Sequence, residues 1–269
     1  MSLPHEPVRL DVSEGVATIT LDRPDAMNSL DVATKEALLA AVRSAADDAA
    51  ARCVVLTGTG RAFCVGQDLK EHIGILRALK SDGEGELFDT VTAHYNPIVE
   101  ALSTMPKPVV AALNGVAAGA GASLAFACDL RVLADTAGYN LAFAGVALSC
   151  DTGSSWTLQR LVGRAKALEL LYFPRTIGAD EALTLGLANR VVPADELTTV
   201  VAELAGRLAT GPTVAYASMR HSVAYAAEHT FAESLAVEAE MMARTGATRD
   251  HEAAVAAFVA KEKPVFEGR

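Results

Sequence analysis

The pattern of apolar and polar residues divides the start of the chain into regular elements. Residues Val8–Val12 and Val16–Leu21 each alternate apolar and polar side chains across a short turn, which predicts a β-hairpin. Ser29 or Asp31 can cap a helix that runs to about Ala50, because apolar residues recur there at helical spacing. The chain therefore opens with two strands followed by an amphipathic helix.

Later patterns alternate strands with helices as far as residue 195 and are helical beyond it. Short apolar runs predict strands at Val54–Leu56, Val109–Leu113, Leu130–Leu133 and Tyr139–Phe143. Helices are predicted at Pro97–Ser103, from Asp151 to Leu161, over Ala165–Tyr172, and as a short pair within Ala179–Val192. Residues 70–95 are predicted to be a mobile connection. This order indicates an α/β protein with a C-terminal helical part.

Composition excludes several classes of protein. The chain has 269 residues, about half of them hydrophobic, which is enough for a large core. A net charge of −10 argues against nucleic acid or an anionic membrane as the main partner. No apolar run reaches the roughly 20 residues of a membrane span, and the N-terminal residues lack a signal-peptide pattern. The four cysteines and six histidines lack metal-ligand spacing, so we expect no metal and a cytoplasmic location.

A glycine-rich junction follows the strand at Val109–Leu113. The run Gly115-Val-Ala-Ala-Gly-Ala-Gly121 leads into a small apolar helix. Glycine allows sharp turns and close approach of the backbone, and the first N–H groups of a helix lack helical partners. Such N–H groups can stabilise a carbonyl oxygen as it becomes an enolate. The alternatives are a packing turn or a phosphate loop, and the missing Lys-Ser/Thr disfavours the phosphate loop.

Four stretches together resemble the crotonase (enoyl-CoA hydratase/isomerase) family. They are Leu21-Asp-Arg-Pro-Asp-Ala-Met-Asn28, Gly60-Arg-Ala-Phe-Cys-Val-Gly-Gln-Asp-Leu69, Lys107-Pro-Val-Val-Ala-Ala-Leu-Asn-Gly115 with the glycine-rich run, and Cys128-Asp-Leu-Arg131. The tail from Asp250 to Arg269 is similar to the family's ending. The resemblance covers nearly the whole chain in order. Its pattern is most similar to the 1,2-epoxyphenylacetyl-CoA isomerase type of phenylacetate degradation.

The resemblance implies an α/β crotonase (ClpP-like) fold of stacked ββα turns. Residues 1–195 would form the spiral core with the CoA and acyl site, and residues 196–269 a helical trimerisation region of a homotrimer or hexamer. The implied substrate is an acyl-CoA thioester, with CoA as part of the substrate and no separate cofactor. The implied oxyanion hole consists of the backbone N–H groups of Gln67 and Ala120. The side chain at position 67 is then expected to matter little.

Further site residues follow from the resemblance alone. Arg23 matches a residue that meets the CoA phosphates, and Ala26 belongs to the backbone that holds the adenine. Phe258 and Lys261 match a C-terminal pair that reaches the CoA of a neighbouring subunit. The alternatives are a surface arginine and a solvated tail lysine.

The reaction depends on which acid and base groups are present. The two glutamates of the family's hydratases fall at Ser123 and Phe143, neither of which is a carboxylate. Asp151 stands where isomerases of the family carry an aspartate that moves a proton between carbons of the acyl group. Cys150 and Gly145 depart from that pattern and leave the acyl group open. The implied activity is an enoyl-CoA or epoxyphenylacetyl-CoA isomerase.

Three alternatives to this interpretation remain. Asp151 could serve only as the N-cap of the following helix, and whether its pKa is raised or lowered is open. The protein could be an enoyl-CoA hydratase or related lyase, or a non-catalytic CoA-binding scaffold. For the acyl pocket we expect Phe143, Trp156 and His72, although a core tryptophan and a surface histidine are alternatives. Ser123 is expected to be a small packing residue rather than a nucleophile, because no base motif accompanies it.

Overall fold

Two sheets organise the chain. The computed structural model describes residues 6–82 and 89–269. The strands β1 to β5 are Val8–Ser13, Val16–Leu21, Cys53–Gly58, Ala62–Cys64 and Val109–Leu113. The strands β6 to β10 are Val116–Ala118, Leu130–Ala134, Gly138–Asn140, Thr176–Gly178 and Arg190–Val192. Within the described residues, one sheet has the order β1-β2-β3-β5-β7-β10 and a second has the order β4-β6-β8-β9.

Helices connect the strands and make up most of the chain after residue 196. The helices α1 to α7 are Val32–Asp47, Leu69–Asp82, Asn96–Thr104, Ala120–Phe126, Ser154–Val162, Arg164–Tyr172 and Ala179–Thr184. The helices α8 to α11 are Leu197–Ala209, Thr213–Ala226, Phe231–Gly246 and Arg249–Ala260. Short irregular helical turns lie at Pro24–Ala26, Val91–Tyr95 and Ala144–Val146.

The first sheet forms the core because its inner strands are apolar on both faces. β3 and β5 pair in parallel, and their central residues are buried, as expected for strands covered on both sides. β1 and β2 pair antiparallel from Val8 opposite Leu21 to Ser13 opposite Val16, which confirms the predicted hairpin. The predicted first helix is also confirmed, since the side chain of Asp31 accepts the N–H of Thr34 at 2.8 Å. Local pattern and turn chemistry were sufficient for these elements.

Three predicted elements differ from the structure. The strand expected at Tyr139–Phe143 ends at Asn140, and the backbone has left the sheet before the helical turn at Ala144–Val146 begins. The second half of the helix pair expected within Ala179–Val192 is strand β10, which extends the first sheet beside β7. The predicted connection 70–95 is helical over Leu69–Asp82 and again from Val91, and residues 83–88 lie outside the described residues.

Two glycines set the geometry of the second sheet and its connections. Gly66 follows β4 with φ +82°, a backbone conformation that glycine adopts without strain. A Cβ at Gly121, in α4, would lie 2.1 Å from the carbonyl oxygen of Cys64 in β4. Only glycine therefore lets α4 pack directly on β4. This contact brings the connection after β4 beside the start of α4.

The C-terminal helices divide into a packed and an exposed group. α8 packs on β2, β3, β5 and β7, and its residues Leu197, Val201 and Ala205 are buried in the main core. By contrast α10 and α11 expose large apolar side chains, among them Phe231, Met242 and Phe258. The predicted domain boundary at 195 and the trimer both stay predictions. Among the described residues, none of the helices has the length and apolarity needed to cross a membrane.

Candidate active site

A cavity of about 880 Å³ opens where the connections of the second sheet meet. Its walls come from the turn at 23–29, the chain from 65 to 76, Tyr95, the start of α4, and the segment 142–151. Most of these are connections that follow strands, so the site lies at the ends of strands rather than inside a sheet. The cavity is large enough for a small organic group.

Two backbone N–H groups line this cavity without a partner. Gln67 follows β4 and Ala120 follows β6, and these two strands are parallel neighbours. A Cβ at Gly66 would lie 3.2 Å from the backbone nitrogen of Ala120, so the two connections adjoin. Neither the N–H of Gln67 nor that of Ala120 donates a hydrogen bond to another described residue, and both residues line the cavity. The two N–H groups can donate to one oxygen that gains negative charge.

Asp151 brings a carboxylate to the same cavity. Burial raises the pKa of Asp151, and the hydroxyl of Thr152, which donates to its Oδ1 at 2.8 Å, opposes this only in part. The carboxylate does not cap the next helix, because α5 begins at Ser154 after Gly153 and has no side-chain cap. The interpretation of Asp151 as a helix cap is therefore wrong. The sequence left open whether the pKa of Asp151 is raised or lowered, and in the structure the effect of burial, which raises it, is the larger.

Thr152 holds the Asp151 carboxylate from an unfavourable backbone conformation. It is buried and has φ +53°, a left-handed value that β-branched residues rarely adopt. Such strain costs about 1–3 kcal/mol and is concentrated at functional sites. The sequence analysis did not single out Thr152, because a positive φ at a threonine has no sequence signal.

The two positions that carry glutamate in hydratases are filled by groups that cannot transfer protons as carboxylates do. The hydroxyl of Ser123 donates to the carbonyl oxygen of Gly119 at 3.1 Å and lies 2.5 Å from the hydroxyl of Ser154. Ser123 is fully buried and does not line the cavity, which agrees with its predicted packing role. Phe143 lines the cavity as an apolar wall.

Two other carboxylates line the cavity, but their surroundings differ from that of Asp151. Partial burial disfavours ionisation of Asp68, yet hydrogen bonds from Ser29, backbone N–H groups and Arg23 outweigh it and lower its pKa. Asp25 is exposed to solvent in the turn at 23–29. Asp151 is therefore the lining carboxylate whose surroundings favour its protonated form.

The residues predicted for CoA binding fall in two places. Ala26 and Arg23 line the cavity, but the guanidinium of Arg23 is held by the carbonyl oxygen of Ser29 at 2.6 Å and by two aspartates. This gives Arg23 a role in fixing the turn that the sequence did not predict. Phe258 and Lys261 lie at the end of α11 and do not line the cavity of their own chain. Their role toward a neighbouring subunit stays a prediction.

Two further cations missed by the sequence analysis lie on the cavity wall. Arg61 and Lys70 are exposed, and neither forms an ion pair with another residue of the described part of the chain. Their charges are therefore available to an anionic group at the entrance. Arg61 lies within the motif from Gly60 to Leu69 and Lys70 follows it directly, but the interpretation of that motif relied on its glycines and on Gln67.

Two of the three residues predicted for the acyl pocket line the cavity. Phe143 and His72 line the cavity, together with Tyr95, Leu76 and Leu148, which the sequence analysis missed. Trp156 does not line it and is not a core residue either, since 42 % of its surface is exposed. Its ring instead packs against the guanidinium of Arg160 at 3.1 Å. The error arose because α5 starts three residues after Asp151, which turns Trp156 outward.

A polar cluster built around the buried residues Lys35 and Tyr95 includes the side chain of Gln67. The cluster, formed by Lys35, Gln67, Glu71, Thr90 and Tyr95, joins α1, the start of α2 and the turn that ends at Tyr95. The side chain of Gln67 accepts and donates hydrogen bonds within it, contacts that the sequence analysis did not predict. Glu71 is occupied by the N–H of Val32 and the amide of Gln67, and it does not line the cavity.

The histidine, cysteine and carboxylate side chains were compared with the requirements of a metal site. Over residues 6–82 and 89–269, no group of three or more histidine, cysteine, aspartate or glutamate side chains is arranged to hold a metal ion. Burial raises the pKa of the Cys64 thiol, next to the connection that carries Gln67, to about 12, so this thiol is a packing group at neutral pH.

Comparison with known proteins gives one consistent result. A model of the enoyl-CoA hydratase/isomerase family matches residues 11–269. A protein of Rhodobacter capsulatus named "probable enoyl-CoA hydratase" is 39% identical over 98% of this chain and 99% of its own length. The 1,2-epoxyphenylacetyl-CoA isomerase of Escherichia coli is 36% identical over 96% and 97%. A solved structure of an enoyl-CoA hydratase/isomerase-like protein from Mycobacterium abscessus has a TM-score of 0.92 and 43% identity, over 97% of this chain and 100% of that one. The chain, with its crotonase fold, belongs to the enoyl-CoA hydratase/isomerase family.

Proposed function

We propose that the protein is an acyl-CoA isomerase that uses the amides of Gln67 and Ala120 as an oxyanion hole and Asp151 as its proton carrier. The observation that carries the proposal is the combination of groups in one cavity. Two residues whose backbone N–H groups donate to no other described residue line it together with the half-buried carboxylate of Asp151, while the two hydratase glutamate positions hold Ser123 and Phe143. Family membership and the 1,2-epoxyphenylacetyl-CoA isomerase relative support an acyl-CoA thioester as the substrate.

The proposed reaction needs one carboxylate because the proton that leaves one carbon returns to another. The thioester oxygen accepts hydrogen bonds from both amides. The Asp151 carboxylate takes a proton from a carbon of the acyl group, and the electron pair of that C–H bond moves into the enolate, whose oxygen carries the charge. The same carboxyl group then protonates a different carbon and is ionised again. The atoms of the substrate are unchanged in number, so an isomer results.

The amides and the carboxylate have separate tasks in this scheme. A single oxyanion donor is worth roughly 3–4 kcal/mol of transition-state stabilisation. A general base accepts protons best when its pKa approaches the working pH, and burial moves the pKa of Asp151 in that direction. Phe143, Leu76 and Leu148 give the cavity an apolar wall that suits an acyl group. The exposed cations Arg61 and Lys70 suit the phosphates of CoA.

The hydratase alternative is supported by the name of the Rhodobacter relative. Water addition by the two-glutamate route needs one group to activate water and another to protonate carbon. Among the described lining carboxylates, Asp68 is held by Arg23 and Ser29, and Asp25 is exposed to solvent in the turn at 23–29, so neither matches the environment of Asp151. This favours isomerisation over hydration.

Mass spectrometry of product mixtures tests the proposal. The protein is incubated with straight-chain enoyl-CoA thioesters and with 1,2-epoxyphenylacetyl-CoA. Isomerisation leaves the mass unchanged and alters retention, whereas hydration adds the mass of one water. We expect unchanged mass with a new retention time for at least one thioester. A water adduct as the sole product would favour the hydratase, and no product with retained binding would favour a scaffold.

A further inference from the structure

The polar cluster that includes Gln67 contains a lysine buried as deeply as the apolar core. Lys35 lies on α1 and is 1% exposed. Burying an ammonium group is costly unless other groups replace its water, and burial lowers the pKa of Lys35 while Glu71 opposes this. The fold therefore retains an unfavourable group at this position. The contacts of the Lys35 ammonium indicate why a lysine is retained at this position.

The contacts of Lys35 converge on the side chain of Gln67. Its ammonium donates to Gln67 Oε1 at 3.2 Å and to Thr90 Oγ1 at 2.7 Å, and lies 5.2 Å from the centre of the Tyr95 ring. The hydroxyl of Tyr95 donates to the same Gln67 Oε1 at 2.7 Å. The Gln67 amide nitrogen donates to Glu71 Oε2 at 3.1 Å, and that carboxylate lies 3.7 Å from the ammonium. The carboxamide of Gln67 is thus held on both its oxygen and its nitrogen.

The connection that carries Gln67 is also held through its backbone. The N–H of Leu30 donates to the carbonyl oxygen of Gly66, and the N–H of Asp68 donates to the carbonyl oxygen of Leu30. The first of these hydrogen bonds holds the peptide group that joins Gly66 to Gln67, and this planar group also carries the Gln67 N–H. The anchored side chain adds a second constraint on the same residue. The N–H of Gln67 donates to no other described residue, and Gln67 lines the cavity.

We propose that Lys35 is a positioning residue, which through the Gln67 side chain holds the Gln67 N–H in the direction needed for the oxyanion. This inference rests on the proposed function of that N–H. It assigns a role to a residue outside the cavity lining, on a helix that otherwise packs in the core. A misplacement of about 1 Å can cost a site 10²-fold in rate, so a rigid anchor on one donor has a measurable effect.

Lys107 offers a matched control because it is another buried lysine without a link to the cavity. It is 4% exposed, and its ammonium donates to the carbonyl oxygens of Ala45 and Asp48 at 2.9 Å each, at the end of α1. Lys107→Met removes a buried ammonium of similar environment. It should lower the melting temperature without changing the oxyanion hole. Lys35→Met should instead change the hole itself.

A chromophoric thioester reports on the hole directly. The absorption band of 4-dimethylaminocinnamoyl-CoA moves to longer wavelength when its carbonyl accepts hydrogen bonds. We expect the full shift with the wild-type protein and Lys107→Met, and a smaller shift with Lys35→Met and Gln67→Met at saturating protein. Turnover of the substrate found by mass spectrometry should show kcat lowered at least roughly tenfold with KM little changed, within the 10²–10³-fold loss expected for one whole donor.

A double variant separates a shared role from two independent ones. If Lys35 acts through Gln67, Lys35→Met together with Gln67→Met should lower kcat no more than the more severe single change. Multiplicative losses, or a full band shift with normal kcat in Lys35→Met, would overturn the positioning role. If Lys35→Met does not fold, Gln67→Met serves as the test, and a full band shift in that variant would also overturn the positioning role. No band shift in the wild-type protein would refute the proposed function itself, so the two failures are distinguishable.

Discussion

Replacing Asp151 by asparagine removes the proposed base while keeping its shape. The Oδ1 of asparagine can still accept the Thr152 hydroxyl, so the local hydrogen bond at 2.8 Å survives. The oxyanion amides of Gln67 and Ala120 are untouched. A general base contributes about 10²–10⁴-fold, which corresponds to roughly 3–5 kcal/mol of activation free energy. We therefore expect Asp151→Asn to lower kcat by at least about 10²-fold with little change in binding of the CoA thioester.

The control for this loss is the other lining carboxylate that is exposed. Asp25 lies in the turn at 23–29 with its charge in solvent. Asp25→Asn should change kcat less than about twofold, because an exposed charge contributes little to chemistry at the acyl end. Initial rates and dissociation constants are measured for both variants with the same thioester. Normal turnover by Asp151→Asn would refute the reasoning and require another base.

The pH dependence of turnover should follow the same carboxylate. Because burial raises the pKa of Asp151, the acidic limb of kcat/KM should lie above the ordinary carboxyl value of 3.8. The Thr152 hydroxyl bonds the ionised form and lowers that pKa. Thr152→Ala should therefore move the acidic limb upward, and Thr152→Ser should restore it. Identical limbs in all three proteins would show that the carboxylate does not govern the limb.

Folding stability should change in the opposite sense to activity. The folded-state pKa of Asp151 lies above its unfolded value, so the folded chain binds this proton more tightly than the unfolded chain. Stability is consequently lost as the pH rises from below 3.8 through the raised value. Asp151→Asn has no charge to bury and should melt at a higher temperature than the parent at neutral pH. The difference should disappear in acid, and a lower melting temperature at neutral pH would contradict the burial argument.

Three further predictions concern packing and assembly. Asn28 is fully buried and donates to the carbonyl oxygens of Thr59 and Ala62, so Asn28→Ala should destabilise the fold by roughly 2–4 kcal/mol in urea unfolding, because paired backbone groups lose their partner. Gly121→Ala should prevent α4 from packing on β4 and abolish soluble expression, whereas Gly74→Ala, where a Cβ meets nothing within 4 Å, should raise the melting temperature slightly. Phe258→Asp, at a side chain 84% exposed on α11, should convert a trimer or hexamer to smaller species in light scattering, and a wild-type monomer at micromolar concentration would contradict the predicted assembly.

The sequence predicted the parts of the fold that depend on neighbouring residues. The β1–β2 hairpin and the Asp31 cap follow from alternation and turn chemistry over a few positions. The candidate oxyanion residues came from motif resemblance, and both line the cavity. The Lys35 anchor could not be predicted, because a lysine on an amphipathic helix usually faces solvent and its partner at 67 meets it only in three dimensions. Trp156 was misplaced for a related reason, since the start of α5 sets which way it points.

The two candidate oxyanion groups belong to the main chain, and they follow neighbouring parallel strands of one sheet. A side-chain substitution can shift a backbone N–H but cannot delete it, so the proposed oxyanion donors would persist through most mutations in this cavity. Ser123 lies on the helix that begins with Ala120, whereas the side chains at 143 and 151 come from a later segment of the chain. Under the proposed function, the groups that stabilise charge and the groups that move protons are therefore separable, and substitution of the side chains at 123, 143 or 151 would alter the second without removing the first.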